Sequence, residues 1–315
     1  MTQVTLDFVR QCLPIRARDG HKGTFGKVHI LAGSVGFTGA PALAASGAVR
    51  TGSGLVYLWA DRAIWPVLAL KCQSAMPAPV PPFGTLLNKM NQSDGVLIGP
   101  GLGRNRKNDV RTLHLVQRVS APMVLDADGL NAVSEHIDVL DTRRDRLTVL
   151  TPHDGEFFRL THGKPIGPDR AEAASAFALQ HGCVLVLKGH RTITAFPDGD
   201  VFVNTSGNPG MAKGGSGDVL SGIILSLLGQ GIPPKQAVPS AVWLHGRAGD
   251  LAAQTWGLDW TDPSRHPASY GRPGGLMTAR GALFCAEATS ILYRQLPLSS
   301  LLLYVAVRKI KRKIS

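Results

Sequence analysis

Along this chain of 315 residues, short unbroken apolar runs alternate with longer segments whose apolar positions recur every three or four residues. The first kind predicts strands buried on both faces, the second amphipathic helices that cover them. Residues 27–32 read as a buried strand, 33–40 as a glycine-rich loop, 42–50 as a helix closed by Gly52 and Gly54, and 55–60 as a second strand. This is a βαβ unit, which implies a parallel sheet with a right-handed crossover. The small residues of that helix suit close packing on the sheet. The pattern repeats. Strand 95–98 runs into loop 99–103, a helix from about Asn108 to Val119 follows, and 122–126 and 147–150 are further strands. A helix from about Asp169 to His181 leads to strand 184–187. Segments 192–196 and 201–204, joined by the turn Asp198-Gly199-Asp200, predict an antiparallel hairpin at the sheet edge. Helices over about 217–228 and 234–254 finish the body, and residues 1–20 read as a short amphipathic segment and a leading loop. The expectation is an α/β fold of three layers, with a mostly parallel central sheet between helices.

Almost every predicted strand ends in a polar or glycine-rich loop: 33–39, 99–103, 126–131, 153–156 and 188–192. In open parallel sheets ligands sit at the carboxyl ends of the strands, so these loops should line one crevice. The densest stretch is Asn208-Pro209-Gly210-Met211-Ala212-Lys213-Gly214-Gly215-Ser216-Gly217-Asp218, running into the apolar helix at Val219. Glycines let the backbone approach a ligand closely, and the amides of a helix start attract anions. Asp218 stands out there. A carboxylate beside a phosphate cradle suits a base that takes a proton from an attacking hydroxyl, although a helix cap is the structural alternative. His153 divides in the same way between ligand contact and cap, Glu156 between capping box and acid, and Asp126 and Asp128 between loop hydrogen bonds and the crevice. His245, in an apolar helix, reads as a packed core histidine.

Composition narrows the field. The chain is 44% hydrophobic and 18% charged, enough for a sizeable core. Cys12, Cys72, Cys183 and Cys285 are widely spaced, which argues against a metal cluster or disulfide framework and points to a reducing compartment. No signal peptide is evident at the N-terminus and no apolar run reaches a membrane span, so a cytoplasmic location is expected. Of the net charge of +12, half falls in residues 258–315, where nine Lys/Arg face three Asp/Glu. The remainder suits a protein that binds anionic nucleotides, and no nucleic-acid motif accompanies it.

Taken together, the stretch 208–222 closely resembles the signature of the ADP-dependent (S)-NAD(P)H-hydrate dehydratases. Thr151-Pro152-His153-Asp154-Gly155-Glu156 is similar to that family's second motif, and 21–27, 99–103, 126–131 and 188–192 match others in order. The resemblance runs from about Arg16 to Trp256. It implies a ribokinase-like fold and a repair lyase: nicotinamide hydrated at C6 is phosphorylated on that hydroxyl by ADP, phosphate leaves, and NADH or NADPH is regenerated. Carried over, Asp218 is the catalytic base. Ala40, Gly103 and His153, with Asp218, contact the hydrated dinucleotide. Lys188, Gly189, His190, Arg191, Thr192 and Gly217 hold ADP, and Gly214, Gly215, Ser216 and Gly217 form the phosphate loop. Magnesium is expected on the phosphates without a dedicated protein cage. The resemblance also implies a homotetramer and a separate epimerase, whose domain is not seen here.

Two departures stand out. Lys213 occupies a position where the family usually has a small or hydroxyl residue. Residues 258–315 match nothing in the family, so the expected division is a dehydratase domain over 1–257 and an unmatched extension beyond it. Its apolar run ending in five basic residues suits an anionic membrane surface, the less favoured reading of a tail in a protein otherwise without membrane features. The rival functions are a ribokinase-like kinase of a sugar or vitamin alcohol and a non-catalytic nucleotide sensor. Asn-Pro-Gly-Met upstream of Gly-Gly-Ser-Gly-Asp favours the dehydratase over the first, and the intact glycine loop and Asp218 argue against the second.

Overall fold

The computed structural model describes residues 1–13, 16 and 18–256, with side chains to residue 254; the segment 258–315 lies outside the described residues. Ten strands form one sheet: β1 (Thr2–Val4), β2 (Lys27–Leu31), β3 (Leu55–Ala60), β4 (Met76–Pro79), β5 (Gly95–Ile98), β6 (Met123–Leu125), β7 (Thr148–Leu150), β8 (Val184–Leu187), β9 (Ile193–Ala195) and β10 (Val201–Asn204). Their order is β1-β10-β9-β8-β7-β6-β5-β2-β3-β4. Every pairing is parallel except β8–β9 and β9–β10, the predicted hairpin.

Side-chain alternation splits the sheet into two cores. Val28, Ile30, Val56, Leu58, Leu97, Val124 and Val149 point to the face covered by α1 (Leu6–Cys12), α2 (Gly39–Thr51), α3 (Trp65–Lys71), α9 (Ser216–Gly229) and α10 (Pro234–Trp256). Leu31, Val96, Ile98, Met123, Leu125 and Leu150 point to the other, covered by α4 (Phe83–Asn91), α5 (Arg106–Arg118), α6 (Asp128–Ser134), α7 (Asp154–Leu160) and α8 (Arg170–His181). Period-2 alternation within fully apolar strands is what a doubly covered sheet requires. The three layers expected from the sequence are present.

Two local readings change. Residues 1–20 do not form only an amphipathic segment and loop: Thr2, Gln3 and Val4 pair in parallel with Phe202, Val203 and Asn204, so β1 covers the hairpin and becomes the edge. The small residues of α2 meet another helix as well as the sheet. Gly222 of α9 lies directly against the Ala44 carbonyl, and a Cβ on Gly47 would stand 2.6 Å from the Val219 carbonyl oxygen. Helices α2 and α9 therefore cross backbone to backbone, a contact that side chains would prevent.

Candidate active site

The strand-end loops converge where the topology places them. Asp126 follows β6, Glu156 lies in the first turn of α7 after β7, Lys188 follows β8, and Asp218 lies in the first turn of α9. The Lys188 ammonium donates to Asp126 Oδ1 at 3.0 Å and stands 3.6 Å from Glu156 Oε2. A Cβ on Gly217 would come within 3.4 Å of the same nitrogen. Burial alone would lower this ammonium, but Asp126 and Glu156 outweigh it and hold it above its ordinary value. Lys188 is thus a charged fixture between two acids and the start of α9.

Asp218 is half-buried beside this group. Burial, with the Asp126 carboxylate next, pushes its carboxyl up to about 7 against the pull of Lys188, while Glu156 and Asp128 add to the rise. A carboxyl titrating near neutrality is suited to accept a proton at working pH. The capping alternative does not hold: Asp218 is the third residue of α9, whose cap is Gly215 in a left-handed conformation (φ 93°) with no side-chain cap bond. Val219 N–H makes the helix's first bond, to the Gly215 carbonyl at 3.2 Å, so the amides of Gly217 and Asp218 precede the ladder. Asn208 shapes the approach: its Oδ1 accepts from Gly210 N–H, and its amide donates to Asp250 of α10.

His245 is packed as expected, but it is not remote. Its Nε2 lies 3.4 Å from the Ser216 hydroxyl. Burial lowers its pKa to about 4, so it is a neutral support behind the phosphate loop.

His153 caps α7. Its Nδ1 accepts from Gly155 and Glu156 amides at 3.0 and 3.4 Å, and Glu156 Oε2 accepts from His153 N–H at 2.8 Å. This capping box confirms the structural alternative for Glu156, which also faces Lys188. With Nδ1 so engaged, Nε2 of the exposed ring is its remaining polar atom, 3.6 Å from Glu156 Oε1. Gly103 N–H donates to Asp128 Oδ2 at 2.8 Å, the Ser34 hydroxyl donates to the Gly101 carbonyl, and Gly101 packs against Ala40. Ala40, Gly103 and Asp128 therefore form a second wall beside the first.

Five of the six expected ADP residues, Lys188 to Thr192, share a turn after β8, and Gly217 lies in the first turn of α9. The Thr192 hydroxyl donates to the Gly189 carbonyl, Arg191 adopts a left-handed φ of 57°, and His190 and Arg191 are exposed. No hydrogen bond joins His190 or Arg191 to the Lys188–Asp218 group among the described residues. Arg170 of α8, passed over in the sequence, donates to the Lys188 carbonyl and pairs with Asp154 at 2.8 Å. A single arginine at a helix start carries no signal of its own.

A sheet of this order with an aspartate and a glycine loop opening its last-but-one described helix defines a ribokinase-like protein. The ribokinase-like superfamily protein of Enterococcus faecalis superposes with a TM-score of 0.78 at 27% identity, over 94% of this chain and 96% of that one. Residues 28–266 match the sequence profile of the NAD(P)H-hydrate dehydratases, and the chain belongs to that family. It is 39% identical to the ADP-dependent (S)-NAD(P)H-hydrate dehydratase of Neisseria meningitidis, over 77% of this chain and 82% of that protein. It is 43% identical to the bifunctional NAD(P)H-hydrate repair enzyme of Moorella thermoacetica, over 81% of this chain, and spans about half (50%) of that longer protein. The ADP/ATP-dependent NAD(P)H-hydrate dehydratase of Bacillus subtilis, co-crystallised with ATP and Mg2+, has a TM-score of 0.72 at 30% identity, covering 94% of this chain and 99% of that one.

Proposed function

We propose that this chain is a lyase that dehydrates the S form of NAD(P)H hydrate at the expense of ADP. The observation that carries this is the Asp218 carboxyl, held near neutrality beside Lys188 and the open amides of α9. Asp218 takes the proton from the C6 hydroxyl, whose oxygen attacks the terminal phosphorus of ADP. The phosphoryl group passes to C6 oxygen and AMP leaves. The amides of Gly214, Gly215, Ser216 and Gly217 stabilise the charge on the transferring group, usually among the largest contributions to catalysis. Phosphate then departs from C6 with a proton from the neighbouring ring carbon, restoring the double bond of NADH or NADPH.

Ala40, Gly103 and His153 hold the hydrated dinucleotide in this reading, and Lys188, Gly189, His190, Arg191, Thr192 and Gly217 hold ADP. Among the described residues no three His, Cys, Asp or Glu side chains stand close enough to bind a metal, and Asp126 and Glu156 already face Lys188. The residues fit magnesium carried on the nucleotide's phosphates, with Asp126 and Glu156 to hold its water. When bound, the ion neutralises phosphate charge. Among the described residues no helix is long and apolar enough to cross a membrane. The reading places the enzyme in the cytoplasm as a homotetramer, with a separate epimerase supplying the S form.

The test is direct. Incubation with NADPH hydrate, ADP and magnesium restores absorbance of the reduced nicotinamide; absence of ADP-dependent recovery refutes the proposal. Asp218→Asn loses about 10²–10⁴ of the rate and still binds ADP.

A further inference from the structure

Further along the same sheet face from the Asp218 group lies a separate cavity of about 300 Å³ at the carboxyl ends of β2, β3, β4 and β5. Three cations line it, Arg62, Lys107 and Arg111, against one acid, Asp61. Asp61 Oδ1 accepts from Ala63 N–H at 2.8 Å, and its charge is felt by Arg111 without an ion pair between them. No acid stands within ion-pair distance of the three cations among the described residues. Arg111, half-buried in the wall, reaches only Asn108 Oδ1 at 3.3 Å. Guanidinium forks and an ammonium lining one cavity match the oxygens of a phosphate.

The cavity is continuous with the second wall of the candidate site. Its lining includes Leu102, next to Gly103, and Gly33, next to Ser34. In the sheet order, β3 stands three places from β6, the strand that carries Asp126. At about 4.8 Å per strand that is roughly 14 Å. A dinucleotide with its nicotinamide at Asp218 has to lay its other nucleotide somewhere along this face. The ADP residues after β8 occupy one direction, and the cavity lies in the other. Between Asp218 and the cavity run the glycine turns 33–36 and 99–103, where backbone suits a pyrophosphate, so the cations beyond them meet what lies past it.

We propose that the Arg62–Lys107–Arg111 cavity binds the 2′-phosphate of the substrate's adenosine end and makes this chain prefer the hydrate of NADPH to that of NADH. The proposal rests on the dinucleotide-hydrate reading above. Its test needs no turnover. With saturating ADP filling the nucleotide site, calorimetry compares 2′-phospho-ADP-ribose with ADP-ribose. The wild type binds the phosphorylated ligand about tenfold or more tightly, the effect of one good hydrogen bond to a charged group. Lys107→Gln, at an exposed position, and Arg111→Gln each erase most of that preference, while Arg111→Lys keeps part of it. Equal binding of the two ligands by the wild type overturns the proposal. So does a preference that survives both variants, or an equal loss for both ligands, which would place the pyrophosphate there instead. Selective binding without ADP-dependent recovery of NADPH would sink the dehydratase reading and leave the cavity's assignment standing; recovery without selectivity would do the reverse.

Discussion

At the scale of single residues, Asp218 sets the behaviour of the site. A carboxyl raised from the ordinary carboxylate range to about 7 works as a base only once deprotonated, so kcat/KM should climb as pH rises through about 7. The same shift has a cost in stability. Between about pH 4 and 7 the folded chain holds a proton that the unfolded chain has released, so this residue's contribution falls as pH rises and levels off above about 7. Asp218→Asn removes that penalty. The variant should melt a few degrees higher than wild type at pH 8 and lose the difference near pH 4, as differential scanning fluorimetry across pH would show. Asp218 was legible in the sequence because glycines and an apolar helix frame it. Lys188 was legible only as one of a nucleotide-binding run; nothing in its neighbourhood shows that its partners are Asp126, 62 residues away, and Glu156. Arg143 was not legible at all. It is 1% exposed and donates to the carbonyls of Val116, Val119 and Ala121 and to Thr148 Oγ1, a use of charge that its surroundings Asp141-Thr142-Arg143-Arg144 present as surface.

At the scale of elements, α2 and α9 are the pair that places the chemistry. Each begins at the ligand face, α2 one residue before Ala40 and α9 two before Asp218, and they touch through Gly47 and Gly222. Gly222→Ala forces a methyl into the Ala44 carbonyl. Overpacking of this kind costs about 1–3 kcal/mol, with a melting loss of several degrees. Because the helices must part, kcat should fall with stability although residue 222 touches no ligand; chemical denaturation and steady-state kinetics on one preparation test both. The buried strands were readable from their unbroken apolar runs. The stretch 65–91 was not: β4 contains Pro77 and Pro79, which only an edge position tolerates, and α3 and α4 are short helices on either side of it. Helices α6 and α7 hide inside polar loops whose side chains, including His153 and Glu156, serve as caps while facing the site.

At the scale of the whole molecule, two cores on opposite faces of one ten-stranded sheet hold the carboxyl ends of the strands in line, and nearly all the candidate chemistry lies along that line. The N-terminal strand closes the sheet at the other end of the order from β4. Removing residues 1–4 uncovers β10 and withdraws Val4, 2% exposed, from the core. The shortened protein should melt several degrees lower and self-associate through the bared strand, visible by light scattering. The contacts of Gly47 with the Val219 backbone and of Gly222 with the Ala44 backbone have a bearing on how the enzyme works in time. Two rods welded at mid-length cannot slide, so the mouths they carry cannot open by parting. Whatever yields to admit one reactant and discharge another has to be the loops ahead of the rods, foremost Gly214, around which there is room for a side chain that nature has left out.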